Sequence, residues 1–402
     1  MMTTVNTENK HIELTDEQQA FVNAPESRIV LIAPAGTGKT EVIAERAKRM
    51  ITRGDKVLCT TFTRKARSVI ENRLHSAGIT GSTVRTITSL AVQLVLERYP
   101  NMVVGDGSEV ARRITQRTPV STKELLRYEA LLATGAPMDT NTLVPEVEPL
   151  FDQYTALKKL CGYISYTDAL ILATALAKPA QFTEVIVDEA QDLSPVHWKF
   201  IKALAPERIV LAGDTSQAIY SFNGIDPNLL PTLVNSGFKE YVLTNSWRTP
   251  TAHLEAVNAH RTNPVSSTKT TGTFTRVNAP TTADAIAFIN ENARTGDVIL
   301  GLTAKRLNTF RVAFEKAHPG IATTVSNEGT LDPDSLMFST IHSFKGNEAQ
   351  RVFVLDVRGN DLTGWSMNGD TEAHNLYYVA CSRALTDLYL LDKGEQHDDI
   401  DT

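Results

Sequence analysis

An α/β architecture built on parallel sheets and divided between two units is what this sequence predicts, on three observations. Short apolar runs rich in β-branched residues recur at 29–32, 57–59, 185–187, 209–212, 298–302 and 352–355. Those at 29–32 and 185–187 are followed by turn chemistry and then a helical pattern, the alternation that builds a parallel sheet covered by helices. A chain of 402 residues, 42% of them hydrophobic, has apolar mass for two cores rather than one. No period of 20–50 residues repeats, so a solenoid is excluded.

Taken in order, the polar start MMTTVNTENKHIE lacks the apolar centre of a signal peptide. LTDEQQ then offers a capping box, Thr15 with Gln18 three residues on. After the first apolar run come the loop APAGTGKT (33–40) and the helical pattern EVIAERAKRM. Arg46, Lys48, Arg49, Arg53, Lys56, Arg64, Lys65, Arg67 and Arg73 form a basic stretch within a chain of net charge −6. A solvated helix face explains its earlier members as well as a polyanion-facing patch does. Residues from about 91 to 165 are mostly helical pattern broken by prolines and glycines, and read as a small helical insertion in the first unit. A boundary near 240–250 divides the chain into 1–243 and 244–402. SSTKTTGTFT, 266–275, reads as a loop or exposed strand edge, and the tail with Glu395, Asp398, Asp399 and Asp401 as a frayed acidic end.

The three cysteines, Cys59, Cys161 and Cys381, are scattered and odd in number, so neither a disulfide framework nor a zinc pattern follows. The longest apolar run, ALILATALA at 169–177, is too short to span a bilayer. The reading is a soluble intracellular protein of a reducing compartment, with no membrane partner.

The chemistry begins at APAGTGKT. An apolar run before it and a helical pattern after it supply the strand–loop–helix context of a phosphate-binding loop. Gly36 and Gly38 allow close backbone approach, so that successive N–H groups point at phosphates. Lys39 would place a point charge on the β- and γ-phosphates, and the Thr40 hydroxyl would ligate Mg²⁺. Position 33 is Ala where the general pattern has its first Gly. The acidic partner is VIVDEAQDLS, 185–194. Asp188 at its strand end suits Mg²⁺, held through water, and Glu189 suits a general base for the attacking water. A lone Asp-Glu after a strand is equally a helix start with favourable dipole charges; the loop upstream decides against that.

Seven segments occur in the order APAGTGKT, TTFTRKARSVI (60–70), VDEAQDLS, GDTSQAIYSFNG (213–224), LTNSWRTP (243–250), STIHSFKGNEAQ (339–350) and YVACSRA (378–384). Together they resemble the motif series of UvrD/Rep-type, PcrA-like superfamily 1A DNA helicases, from residue 14 to about 390. The resemblance implies two RecA-like P-loop NTPase domains, ATP and Mg²⁺ as cofactors, and a monomer working on single-stranded DNA and single-strand/duplex junctions. Fewer than about 100 residues separate Arg248 from Thr340, where larger relatives insert an accessory domain, so the chain resembles a minimal form.

Residue by residue, the resemblance implies that Ala35, Gly36, Thr37, Gly38, Lys39 and Thr40 hold ATP and that Gln18 reads the adenine edge, which its capping box does not forbid. Trp247 stands where the family stacks a tyrosine on adenine. Arg248 and Arg383 would reach the γ-phosphate from the second domain; singly, each also reads as a surface salt bridge. Gly346 and Glu348 would meet the nucleotide, with Asn347 replacing the usual apolar residue between them. Asp214 and Gln217 would link the γ-phosphate to the DNA groove, which makes GDTSQAIYSFNG a coupling element. Thr61, Phe62, Thr63 and Arg64, Thr88 in TITSL, Tyr220, Phe222 and Asn223, and Thr340 with His342 would face DNA. Phe222 stands for a larger tryptophan and Asn223 for an arginine, and Phe62 and both aromatics of 213–224 also read as core. The implied activity is an ATP-dependent DNA helicase, moving 3′→5′, in replication, repair or recombination. A single-strand translocase that only displaces proteins would share every motif, and a non-motor P-loop enzyme only the loop.

Overall fold

A computed structural model of the protein describes residues 13–62, 64–79, 83–106, 111–112, 116, 129–135, 154–156, 158–160, 162–204, 206–221, 224–325, 332–357, 362, 365–366 and 369–393, without the side chains of Arg64, Lys65 and Thr83. The predicted runs become strands because β-branched residues, buried on both faces, pack between covering helices. In the first half these are β1 (Arg28–Ile32), β2 (Val57–Thr61), β3 (Thr83–Thr86), β4 (Val103–Gly105), β5 (Tyr163–Ser165), β6 (Glu184–Val187), β7 (Arg208–Gly213) and β8 (Lys239–Val242). Six of them form one parallel sheet in the order β3-β2-β6-β7-β1-β8.

The second half continues with β9 (Asn245–Ser246), β10 (Ser266–Ser267), β11 (Thr273–Asn278), β12 (Val298–Gly301), β13 (Thr323–Val325), β14 (Leu336–Thr340), β15 (Ala349–Val357) and β16 (Ala384–Asp392). Its parallel sheet runs β11-β16-β15-β12-β14-β13. The chain is therefore α/β with two parallel six-stranded sheets, each with its surrounding helices called a lobe below. SSTKTTGTFT holds β10 and the start of the edge strand β11, whose mostly exposed residues fit its polar composition.

Helix starts follow local chemistry. Thr15 and Gln18 close the expected capping box on the helix Asp16–Asn23. Ser194 caps Pro195–Ala203, with Pro195 in the first turn where its missing N–H costs nothing. Two features depart from the sequence reading. β4 and β5 pair as a small parallel ribbon inside the interval read as helical, because three-residue strands carry no readable alternation. Arg46, read with a solvated face, is wholly buried: Nε meets Glu184 Oε1 at 2.7 Å, and NH1 donates to the carbonyls of Phe21 and Ala24. Its helix, Lys39–Thr52, turns that side toward Asp16–Asn23 and the sheet.

The cores meet between the lobes. Ala35 and Ile219 of the first lobe lie in the apolar cluster that contains Val354, Tyr377 and Tyr378 of the second. Among the described residues no helix is long and apolar enough to cross a membrane.

Candidate active site between the two sheets

The 33–40 loop leaves the carboxyl end of β1, where open α/β sheets place their ligands. Gly36 and Gly38 adopt φ of +78° and +84°, the left-handed conformation that glycine takes without strain. Gly36 has a second constraint. A Cβ there would lie 2.3 Å from Arg248 Cβ and 2.6 Å from Ser246 Oγ, because the 246–248 segment crosses directly above it. Trp247 N donates to Gly36 O (2.9 Å) and Ser246 Oγ to Ala35 O (2.8 Å), so the second lobe's entry strand is clipped to the loop. Thr37 is buried and donates to Pro34 O (2.9 Å). The Gln18 amide closes the expected capping box and also reaches the phosphate loop: Oε1 accepts from Thr15 N (3.0 Å), and Nε2 donates to Thr37 O (3.1 Å). In this structure it is a strut of the loop.

Lys39 Nζ lies 3.0 Å from Asp188 Oδ1 and 2.7 Å from Glu189 Oε1. Burial works against its charge, but the two carboxylates outweigh burial and hold its pKa above the usual lysine range. Burial pushes Asp188 upward, and Lys39 opposes it. At Glu189 burial is overcome by Lys39, Lys345 and a hydrogen bond from Gln191, which together bring the carboxyl down to about 2. Glu189 has φ +56° and ψ +39°, uncommon for a residue with a side chain and a strain of about 1–3 kcal/mol. That turn at the end of β6 aims its carboxylate at Lys39. Thr40 and Asp188 line the same cavity, which has a volume of about 1940 Å³.

From the second lobe, Trp247, Arg248, Gly346, Glu348 and Arg383 line it too. Trp247 is 55% exposed. Arg248 NH2 meets Glu348 Oε1 at 2.5 Å. Arg383 is buried, with Nε on Val379 O (2.9 Å) and NH2 on Ser382 Oγ (2.7 Å). Burial first, then the charge of Arg248, bring its pKa down to about 10. Arg383 is thus no surface salt bridge, whereas Arg248 does pair with a carboxylate, Glu348, at the edge of the cavity.

The 214–221 segment lies between the lobes. Asp214 accepts from Gln217 Nε2 (3.0 Å), Tyr378 OH (2.7 Å) and Arg261 NH1 (3.1 Å). Lys345 Nζ sits 2.7 Å from both Asp192 oxygens and donates to Gln217 O (2.7 Å). Burial nevertheless raises Asp192 to about 6 against the pull of Lys345.

The residues expected to face DNA divide. Phe62, Thr88 and Tyr220 line the same cavity as the phosphate loop. Phe62 is half-buried, its ring 5.3 Å from that of His197. Tyr220 is half-buried against the second lobe's core, donates to His342 O (3.1 Å) and carries Lys345 Nζ 4.6 Å above its ring. Thr61 is wholly buried at the end of β2, a position that does not present it to a polymer. Thr340 is spent on capping Ile341–Phe344, and His342 Nε2 lies 3.1 Å from Ile219 O, so these two bond within the protein here. Thr63, Phe222 and Asn223 lie outside the described residues, as does the Arg64 side chain.

Sequence reasoning missed Gln191, Arg261, Glu372 and Asn375 and the bonds made by Tyr378. Glu372, Asn375 and Tyr378 share one face of the helix Asp370–Cys381 and bond Ser221, the carbonyls of Thr215 and Ala218, and Asp214. Their spacing of three was the available signal. Arg261 offered none.

With this geometry, comparison with known proteins is informative. A family model described as an AAA domain matches residues 17–223. The chain is 26% identical to the putative ATP-dependent DNA helicase YjcD of Bacillus subtilis over 59% of its own length and 37% of that protein's. It is 24% identical to DNA helicase II of Escherichia coli, over 61% of this chain and 40% of that one. A probable DNA helicase of Mycoplasma pneumoniae is 25% identical over 94% of this chain and 83% of its own. The chain thus spans about two fifths of the first two relatives and most of the third.

Proposed function

This chain belongs to the AAA domain family, as a UvrD-like member of superfamily 1, and from that premise we propose that it is an ATP-dependent DNA helicase or translocase. In this reading it advances 3′→5′ along single-stranded DNA toward duplex junctions, as a monomer. The observation that carries the proposal is the shared cleft: Lys39, Asp188 and Glu189 from one sheet and Arg248 and Arg383 from the other line a single cavity.

ATP fits the residues present. The left-handed glycines form a cradle that a Cβ would spoil, and Lys39 is the cation that the phosphates would share with the carboxylates. Thr40 and Asp188 are hard oxygen donors of the kind Mg²⁺ takes one or two at a time, keeping its waters otherwise. Held by these residues, Mg²⁺ would supply positive charge to the phosphates. The remaining work falls to this chain's own groups. Lys39 turning toward phosphate leaves Glu189 without its nearest cation, which raises the basicity of Glu189 and readies it to take a proton from water. Arg248 and Arg383 place positive charge where negative charge develops on the phosphate oxygens, and only while the lobes are together. Residues 1–243 and 244–402 are then two units that nucleotide holds shut and hydrolysis releases. DNA would run along the Phe62, Thr88 and Tyr220 end of the cleft, with bases stacking on the aromatics.

Turnover measured with and without single-stranded DNA tests this reading; no stimulation removes the motor and leaves a plain P-loop enzyme. Glu189→Gln should abolish turnover, by about 10²–10⁴-fold, while a fluorescent nucleotide still binds. Strand displacement on duplexes tailed at either end then separates unwinding from translocation, and a 5′-tail preference would falsify the direction.

A further inference from the structure

Gln191 is 2% exposed, and both ends of its carboxamide are bonded. Nε2 donates to Glu189 Oε2 at 2.7 Å, and Oε1 accepts from Asp214 N at 3.1 Å. A carboxylate only accepts and a backbone N–H only donates, so a single orientation of the amide satisfies both. Gly213 has yielded its side chain to this arrangement: a Cβ there would lie 2.5 Å from Gln191 Oε1. Asp214 is in turn held from the second lobe. Arg261 NH1 meets its two oxygens at 3.1 and 3.3 Å, the guanidinium lies 4.3 Å over the Tyr378 ring, and Tyr378 OH donates to Asp214 at 2.7 Å. The Arg261 side chain is 2% exposed and its carboxylate partner fully buried, so losing either charge strands the other.

These bonds form one path from the second lobe to the candidate base. We propose that Gln191 is a positioning residue for Glu189, and that Arg261 and Tyr378, acting through Asp214, make the aim of that carboxylate depend on contact between the lobes. This rests on Glu189 being the general base for ATP hydrolysis. It adds a reason why chemistry waits for closure: with the lobes apart, Asp214 loses Arg261 and Tyr378, its backbone is freer, and Gln191 no longer fixes one Glu189 oxygen while Lys39 leaves the other.

Steady-state ATPase on single-stranded DNA tests it with Gln191→Leu, Arg261→Met and the double variant. Gln191→Leu should lower kcat roughly 10–100-fold with KM within about threefold, as misplacement of a base does. Arg261→Met should lower kcat as well, and the double variant should be no slower than Gln191→Leu, because two breaks in one path do not multiply. Multiplying effects, or a change confined to KM, overturn the relay. If Arg261→Met fails to bind a fluorescent nucleotide and has lost its fold, Gly213→Ala serves: it displaces the Gln191 amide from the other side and should reproduce the kcat loss. An unchanged kcat in Gly213→Ala overturns the relay. Turnover surviving in Glu189→Gln overturns the base assignment and the relay with it. Turnover lost in Glu189→Gln beside multiplying effects of the other two overturns the relay alone.

Discussion

The charged and the aromatic residues of the cleft are held differently. Around the phosphate loop several charges are bonded and largely withdrawn from water: Lys39 between two carboxylates, Arg383 on the carbonyl of Val379, Asp214 with Arg261. Two aromatics lining the same cleft, Phe62 and Tyr220, are half-buried and rest on core residues, with Lys345 Nζ over the Tyr220 ring. Charges in low dielectric hold their positions and act without reorganisation, which suits chemistry on one fixed group. Half-exposed rings offer a face on which any base could stack. In the proposed function, the charged residues would set specificity for the reaction and the aromatics would tolerate any base.

The comparison breaks first at Arg248. Arg248→Ala should cost about 10³-fold in kcat, the usual worth of an arginine on a γ-phosphate, with little loss of DNA affinity in a filter-binding assay. DNA affinity falling in step with kcat would mean that the two sets of residues are not separable. Gly36→Ala comes next. It forces a left-handed alanine and a clash with Arg248, together about 2–5 kcal/mol, read as a lower denaturant midpoint and weaker nucleotide binding. A normal midpoint would show that the 246–248 segment is not clipped to the loop.

Phe62→Ala sharpens the aromatic side of the comparison. Affinity for single-stranded DNA should weaken by roughly 1–3 kcal/mol per stacked base lost, with nucleotide affinity unchanged. Unaltered DNA affinity would return Phe62 to the core beside His197. The smallest effect concerns pH. Asp192 is raised from 3.8 to about 6 by burial, so the folded chain holds this proton more tightly than the unfolded one. Its contribution to stability therefore falls as pH rises from about 4 to about 6, by of order 1–3 kcal/mol. Asp192→Asn should remove that part of the slope from a series of melting temperatures; an unchanged slope would place the titration elsewhere.

What was legible in the sequence follows from how local each feature is. The strand, loop and helix around Lys39 are contiguous, and the requirement for Gly36 and Gly38 is a backbone requirement that residue type announces. Asp188 and Glu189 stand at the end of an apolar run, so β6 placed them visibly. Both sheets were readable in their long apolar strands, whereas β3 and β13 are short and β8 half-exposed, without the run that marks a buried strand. The burial of Thr61 was not legible, because hydroxyls in TTFT look polymer-facing, yet β2 is sandwiched between β3 and β6 and buries its last residue. Arg261 was invisible for another reason. A lone arginine between His260 and Thr262 has meaning only through the return of a chain segment from the first lobe to meet it.

The central claim is that one cleft joins nucleotide chemistry at its charged residues to DNA at its aromatic ones. ATP turnover by the whole chain, measured as single-stranded DNA is titrated in, tests it most directly. Turnover rising to saturation with DNA is the result this account predicts. Turnover that is present but indifferent to DNA at every concentration would contradict it.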